Sequence, residues 1–186
     1  HRDLHLSIRR QRQMCIRDRA KTRGARVIGM ASGTKKLGAV LDKGADHVLD
    51  YNDGPFRAAV KDLTGGLGAD VIYDPIGGDV FDESLRCIAP FGRLLVIGFA
   101  SGRIPEVAVN YALLKQCAII GVRAGEYGRI DQKGGQEVNR ALIDMASQGC
   151  LRPHIHARLP FKSLIAAFNA VVRREVIGRI VIGIDD

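Results

Sequence analysis

From residue 25 onward the chain alternates short apolar runs with amphipathic stretches. Residues 26–30, 47–50, 70–73, 93–99 and 118–122 read as five strands, and 179–184 as a last one behind Gly178. The strands are apolar throughout rather than alternating, which is the pattern of strands covered by helices on both faces. Helical spacing fills the intervals. Leu37, Val40 and Leu41 mark a helix over 34–43 that stops at Gly44. Phe56, Ala59, Val60 and Leu63 mark one over 55–63, with Pro55 near its first turn and Gly65-Gly66 after it. Asp79 is placed to cap a third helix, which carries Val80, Phe81, Leu85 and Ile88 and ends at Pro90-Phe-Gly92. Farther on, Val138, Leu142 and Met145 predict a helix over 134–149. Phe161, Leu164, Ile165, Phe168 and Val172 form one stripe of a helix over 160–174.

Strand-helix-strand repetition at this spacing predicts an α/β fold with a doubly wound parallel sheet, followed by C-terminal helices and a final strand. The sheet lacks its first strand: 26–30 reads as the second strand of a dinucleotide-binding unit. The glycine-rich turn expected upstream is replaced by residues 1–19, which hold no glycine and no sustained apolar run. The expected divisions are a foreign or disordered basic segment over 1–19, a truncated dinucleotide-binding domain over 20–124, and a C-terminal part over 125–186. The glycine-rich, polar stretch 124–135 is the expected linker.

Charge sharpens this division. The formal net charge of the 186-residue chain is +8. Nine Lys or Arg and two Asp lie within residues 1–26, so seven of those eight charges sit in one terminal stretch. A nucleic-acid-binding body needs basic residues spread over a face, and none is expected here. No apolar run approaches the ~20 residues of a membrane span. The four cysteines form no Cys-x-x-Cys pair, so neither a zinc ribbon nor a disulfide framework is suggested, and reduced thiols point to the cytoplasm.

Candidate chemistry gathers after the strands. The turn Ala31-Ser-Gly-Thr-Lys-Lys36 has no acid and offers the Ser32 and Thr34 hydroxyls with two ammonium groups. In nucleotide folds such a turn meets the adenosine ribose, where a carboxylate favours NAD and cations suit a 2′-phosphate. If a dinucleotide binds, NADP fits better than NAD; the alternative is a helix start with solvated lysines. Tyr51 leaves the next strand at the same sheet edge, either beside that phosphate or as a half-buried strand-end tyrosine. The turns 74–78 and 98–102 bring glycines to strand ends, as ligand approaches or as plain turns. Thr64-Gly-Gly-Leu-Gly-Ala69 leads from a helix into a strand, the reverse of a phosphate loop. His154 and His156 have no Cys, Asp or Glu nearby, and no metal site is expected.

These residues carry a family resemblance. Gly44-Ala-Asp-His-Val-Leu-Asp-Tyr51, Gly68-Ala-Asp-Val-Ile-Tyr-Asp-Pro-Ile-Gly-Gly78, Ala89-Pro-Phe-Gly-Arg-Leu-Leu-Val-Ile-Gly-Phe99 and Gly178-Arg-Ile-Val-Ile182 resemble the medium-chain dehydrogenase/reductase superfamily. Within it they resemble the zinc-free NADPH:quinone oxidoreductase (zeta-crystallin-like) branch, in its C-terminal cofactor-binding part only. The resemblance implies NADPH as cofactor and a quinone or enone as substrate. It assigns Ser32, Lys36 and Tyr51 to the adenosine 2′-phosphate and places Phe99, Ala100, Val122 and Arg123 beside the nicotinamide. It also implies a homodimer through the edge strand 118–122, and a final strand outside the cofactor sheet. The catalytic domain and the Gly-x-x-Gly-Gly-x-Gly turn are not found, and no residue is assigned a catalytic step. Gln13-Met-Cys-Ile-Arg-Asp-Arg19 resembles translated sequencing-adapter read-through. The resulting reading is a fragment of an NADPH-dependent oxidoreductase. The alternatives are a non-catalytic nucleotide-binding or dimerisation module, or a fragment of a zinc alcohol dehydrogenase or enoyl reductase.

Overall fold

The computed structural model describes residues 16–173 and 175–184. Residues 1–15 of the stretch read as foreign lie outside the described residues, and its last four residues open a helix. In chain order the elements are α1 (Ile16–Thr22), β1 (Ile28–Ala31), α2 (Thr34–Asp42), β2 (His47–Asp50), α3 (Arg57–Leu63), β3 (Ala69–Asp74), α4 (Gly78–Arg86), β4 (Ile88–Val96) and α5 (Asn110–Lys115). They continue with β5 (Ala118–Gly121), α6 (Ala124–Ile130), α7 (Gln132–Ser147), β6 (Ile155–Pro160), a 3-10 turn (Phe161–Ser163), α8 (Leu164–Val172) and β7 (Arg179–Gly183). Among the described residues no helix is long and apolar enough to cross a membrane.

Every strand pair is parallel, as expected of a doubly wound fold, but the strands fall into three sheets: β1-β2, β3-β4-β5 and β6-β7. No ladder joins β1 to β3. The seam between them lies where the hydrophobic pattern leaves out a strand. Apolar packing spans it instead. Phe56, Val60 and Cys87 are buried together, and against them pack Ile28 and Met30 of β1, Leu49 of β2, Tyr51, Ala69 and Ile72 of β3, and Val80 of α4. A second cluster of Phe81, Leu85, Ile88 and Leu94 seats α4 on one face of β3-β4-β5. The Cys87 thiol is pushed up to about 11 by this burial and is an inert part of the core.

The opposite sheet face is less covered than the continuous apolar runs imply, with Val71 46% and Ile120 38% exposed. Part of it is roofed by α1. That helix has only 7 residues and buries none of them, so outside contacts must hold it. Lys21 donates to both oxygens of Asp46 (2.7 and 2.9 Å), and the Val27 N–H adds a third bond to the same carboxylate (2.7 Å). At the other end Asp18 accepts the Arg152 N–H (3.1 Å).

Several sequence expectations need correction. Asp79 does not cap α4. Gly77 occupies the N-cap, with φ 69, and Asp79 sits in the first turn. Pro90-Phe-Gly92 does not precede β4 but lies inside it as an irregularity: the register passes from Ala69↔Ile88 to Val71↔Arg93. Phe91 adopts φ 61 there and donates its N–H to the Gln116 carbonyl (2.7 Å). The expected linker 124–135 is helical over α6 and into α7, with Asp131 accepting the Gly134 N–H (2.9 Å) as the α7 N-cap. The expected helix over 160–174 begins only at Leu164. Pro160 ends β6, a strand absent from the sequence expectation although its apolar and polar side chains alternate, and β6 pairs with β7 outside the larger sheet. The helix stripe faces outward rather than into a core: Ile165 is 76% and Phe168 63% exposed.

Two outcomes are expected from this arrangement. Phe56→Ala removes the largest buried side chain of the seam cluster and costs ~3–5 kcal/mol in a urea titration. Amide exchange in β1 and β3 should accelerate together; acceleration in β1 alone would show that the sheets are held independently. The Lys21 ammonium and the Val27 N–H hold the Asp46 carboxyl below its ordinary value. A carboxyl depressed in the folded state contributes stability above its unfolded value of about 4, and that contribution is lost as pH falls through the depressed folded value. Thermal melts between about pH 2 and 6 should therefore show an acid limb that Asp46→Asn flattens.

Candidate functional site

Within each sheet the parallel ladders bring the C-terminal strand ends together, where open α/β sheets bind ligands. The register Ala31↔Asp50 sets the exits of β1 and β2 side by side. At that exit Gly33 takes φ 80, and a side chain built on it would meet no atom within 4 Å. The space above the turn is open, flanked by half-buried Ser32 and Lys36. The carbonyl of Gly33 accepts the Lys36 and Leu37 N–H groups as α2 begins. No acid lies in the first turn of α2, so its positive end is not neutralised from within the helix.

The tertiary structure does bring an acid into this turn, which sequence proximity does not show. Asp50 Oδ2 accepts the Gly33 N–H (2.6 Å) and its Oδ1 accepts the Asn52 N–H (2.8 Å). The turn expected to be free of acid therefore has a carboxylate at its base, already engaged by two backbone donors. Tyr51 leaves β2 beside it, with its ring packed in the seam cluster. Among the described residues the Ser32 hydroxyl, the Lys36 ammonium and the Tyr51 phenol have no hydrogen-bond partner.

A second group forms where β3 and β4 end. Asp74 is 2% exposed; its Oδ1 accepts the Ile76 and Gly77 N–H groups (2.8 and 3.0 Å), while its buried Oδ2 has no partner among the described residues. This pins the turn 74–78, and the Phe99-Ala100 loop rests on it. Ala100 N–H donates to the Pro75 carbonyl (3.1 Å) and Ser101 N–H to that of Ile76 (2.9 Å). The signal for this turn was legible as Asp-Pro-Ile-Gly-Gly; the role of its carboxylate was not.

The third group is at the end of β5. Val122 N–H continues the ladder to the Val96 carbonyl (2.9 Å). Val122 and Arg123 line a largely apolar cleft of about 370 Å³ with Ile16 and Arg19 of α1, Tyr73, Ile97 and Tyr127. Burial pushes the Tyr73 phenol up to about 12, so it is a neutral donor over the whole physiological range. Arg123 is 84% exposed and reaches Glu126 at 3.7 Å. The seven residues singled out from sequence thus form three groups at C-terminal strand ends, one on the β1-β2 sheet and two on the β3-β4-β5 sheet. Only Val122 and Arg123 reach the cleft. Sequence reasoning missed Asp50, Asp74, Tyr73 and Arg103, because each acts on a neighbour distant in the chain or through a buried strand position.

His154 and His156 serve strand geometry instead. The His154 carbonyl accepts the Arg179 N–H (3.0 Å), and His156 Nδ1 accepts the Ile177 N–H (3.4 Å). A side chain at Gly178, φ 84, would collide with the His154 carbonyl.

Comparison with known proteins places the chain in a family. The sequence model of the zinc-binding dehydrogenase family matches residues 14–146, starting inside the stretch read as foreign. The chain is 37% identical over 160 residues to quinone oxidoreductase-like protein 2 homolog of Nematostella vectensis, covering 86% of this chain and 44% of that protein. It is 30% identical over 166 residues to a quinone oxidoreductase of Pseudomonas aeruginosa, covering 88% and 50%. Among solved structures, 2-haloacrylate reductase superposes with a TM-score of 0.81 at 28% identity over 94% of this chain and 54% of that one. A mycobacterial protein complexed with NADPH gives 0.79 at 28% identity over 89% and 52%. The chain spans about half the length of the curated relatives it matches. With parallel strand-helix units and a family match over most of its length, the chain belongs to the zinc-binding dehydrogenase family of the medium-chain dehydrogenase/reductases and is similar to its quinone oxidoreductases.

Proposed function

We propose that this chain is the cofactor-binding part of an NADPH-dependent oxidoreductase whose substrate is a quinone or an enone. The observation that carries the reading is the exit of β1 and β2: three polar side chains without protein partners among the described residues border an open glycine turn. Ser32, Lys36 and Tyr51 would hold the adenosine 2′-phosphate, with exposed Lys35 adding a second cation. The Asp50 carboxylate lies at the base of the turn, but each of its oxygens already accepts a backbone N–H. A charge-assisted bond from an ammonium to a phosphate is stronger than a neutral one, and that favours NADPH over NADH.

Phe99, Ala100, Val122 and Arg123 would border the nicotinamide, at strand ends that face the same edge. Bound NADPH supplies a hydride to the acceptor. The contribution of this chain is orientation and exclusion of water: the apolar walls Ile97, Val122 and Tyr73 shield the cleft, and the Arg123 guanidinium at its rim offers positive charge toward a developing oxyanion. A homodimer through β5 fits the same reading, since among the described residues β5 pairs with β4 alone and Ile120 is partly exposed. A cytoplasmic location fits the free thiols of Cys87, Cys117 and Cys150.

The test is thermal unfolding of the purified chain alone, with NADPH and with NADH. NADPH should raise the midpoint and NADH should raise it less. Lys36→Ala should remove ~1.5–3 kcal/mol of NADPH binding, the range for a bond to a charged group, and leave NADH unchanged. Equal shifts from both nucleotides, or none from either, would overturn the reading.

A further inference from the structure

The loop after β4 has little core to hold it where the cofactor reading needs it. Phe99 is 41% and Ile104 67% exposed, and only at Val107 does the chain rejoin the Phe81 cluster. The loop is nevertheless closely fitted to the turn after β3. A side chain on Gly77 would come within 2.9 Å of the Phe99 ring, and one on Gly78 within 2.8 Å of the Ser101 hydroxyl. Both glycines have positive φ, 69 and 56, so the turn is shaped to receive the loop.

A polar clamp closes this contact from outside. The Arg103 guanidinium donates to Asp79 Oδ1 (2.8 Å) and also to Asp82. These acids stand three apart on one face of α4, where like charges repel, and a single cation between them cancels that repulsion. Ser101 Oγ folds back on the same residue, accepting the Arg103 N–H (3.3 Å) and donating to its carbonyl (3.4 Å). Among the described residues Arg103 makes the loop's side-chain ion pairs to α4.

We propose that Arg103 is a positioning residue: by clamping Asp79 and Asp82 it fixes the exposed Phe99-Ala100 pair and thereby sets affinity for the nicotinamide half of the dinucleotide. This rests on the cofactor reading above. Arg103 itself touches no reacting atom. It acts through the loop, and its effect is selective because the 2′-phosphate group at Ser32 and Lys36 lies on different strands.

The experiment compares the full chain with Arg103→Ala, Arg103→Lys and Asp82→Asn. Binding of NADPH and of 2′,5′-ADP, which carries the adenosine 2′-phosphate without a nicotinamide, is measured by calorimetry, and amide exchange is followed at Ala100 and Ser101. Arg103→Ala should weaken NADPH about fivefold, the upper range for an exposed ion pair, and leave 2′,5′-ADP unchanged. Exchange at Ala100 and Ser101 should accelerate by a similar factor. Arg103→Lys should retain most of the wild-type behaviour, and Asp82→Asn should shift it in the same direction by less. Added salt should weaken the NADPH advantage in the wild type and not in Arg103→Ala. Unchanged exchange, unchanged NADPH affinity, or equal loss of both ligands would each overturn the proposal. A wild-type chain that binds neither ligand refutes the cofactor reading itself, and the exchange rates then still decide whether Arg103 holds the loop.

Discussion

The burial of Phe56, Val60 and Cys87 between two strand groups is the constraint on which the remaining structure depends. β1-β2 and β3-β4-β5 share no ladder, so the usual hydrogen-bonded continuity of a parallel sheet stops at the seam. Apolar packing across α3 and α4 takes over. Apolar burial is non-directional, unlike a ladder. It holds the two groups adjacent without fixing their register.

That arrangement has consequences for the site. A dinucleotide needs both groups: its adenosine end at β1 and β2, its other end at β4 and β5. The geometry within each group is set by ladders and by buried polar contacts, such as Asp50 beneath Gly33 and Asp74 beneath Gly77. The geometry between them is set by the seam cluster and by α1. The helix is bound to the first group through Lys21 and Asp46, borders the cleft of the second through Ile16 and Arg19, and meets the C-terminal part through Asp18 and Arg152. A short helix with no buried residue thus joins three parts of the molecule through its polar side chains and one apolar contact.

The C-terminal part obeys a different logic. Among the described residues β6 and β7 pair only with each other, and the stripe of Phe161 from the 3-10 turn with Ile165, Phe168 and Val172 of α8 is exposed rather than covered. The helical period of that stripe is read correctly from sequence, since amphipathicity reports spacing. Which body covers the apolar face is a question of what lies opposite, and spacing carries no information on that.

The sequence by itself determined the strand-helix alternation, the parallel class and five strands near their observed positions. Continuous apolar runs and glycine stops are local signals, and parallel topology follows from their order. Tertiary structure decided the rest. It split the sheet, because a strand's partner is chosen in space and not by its own composition. It placed Asp50 under the turn of Ser32 and Lys36, because the register Ala31↔Asp50 joins residues nineteen positions apart. It moved Asp79 from a cap to a clamp, because glycine at position 77 supplies the positive φ with which α4 begins. It turned Pro90-Phe-Gly92 from a stop into an irregularity within β4, because the Gln116 carbonyl and the Ile88 side chain meet the chain there. The split sheet, the placement of Asp50 and the Phe91–Gln116 bond depend on contacts between residues distant in the chain, where local propensity has no leverage.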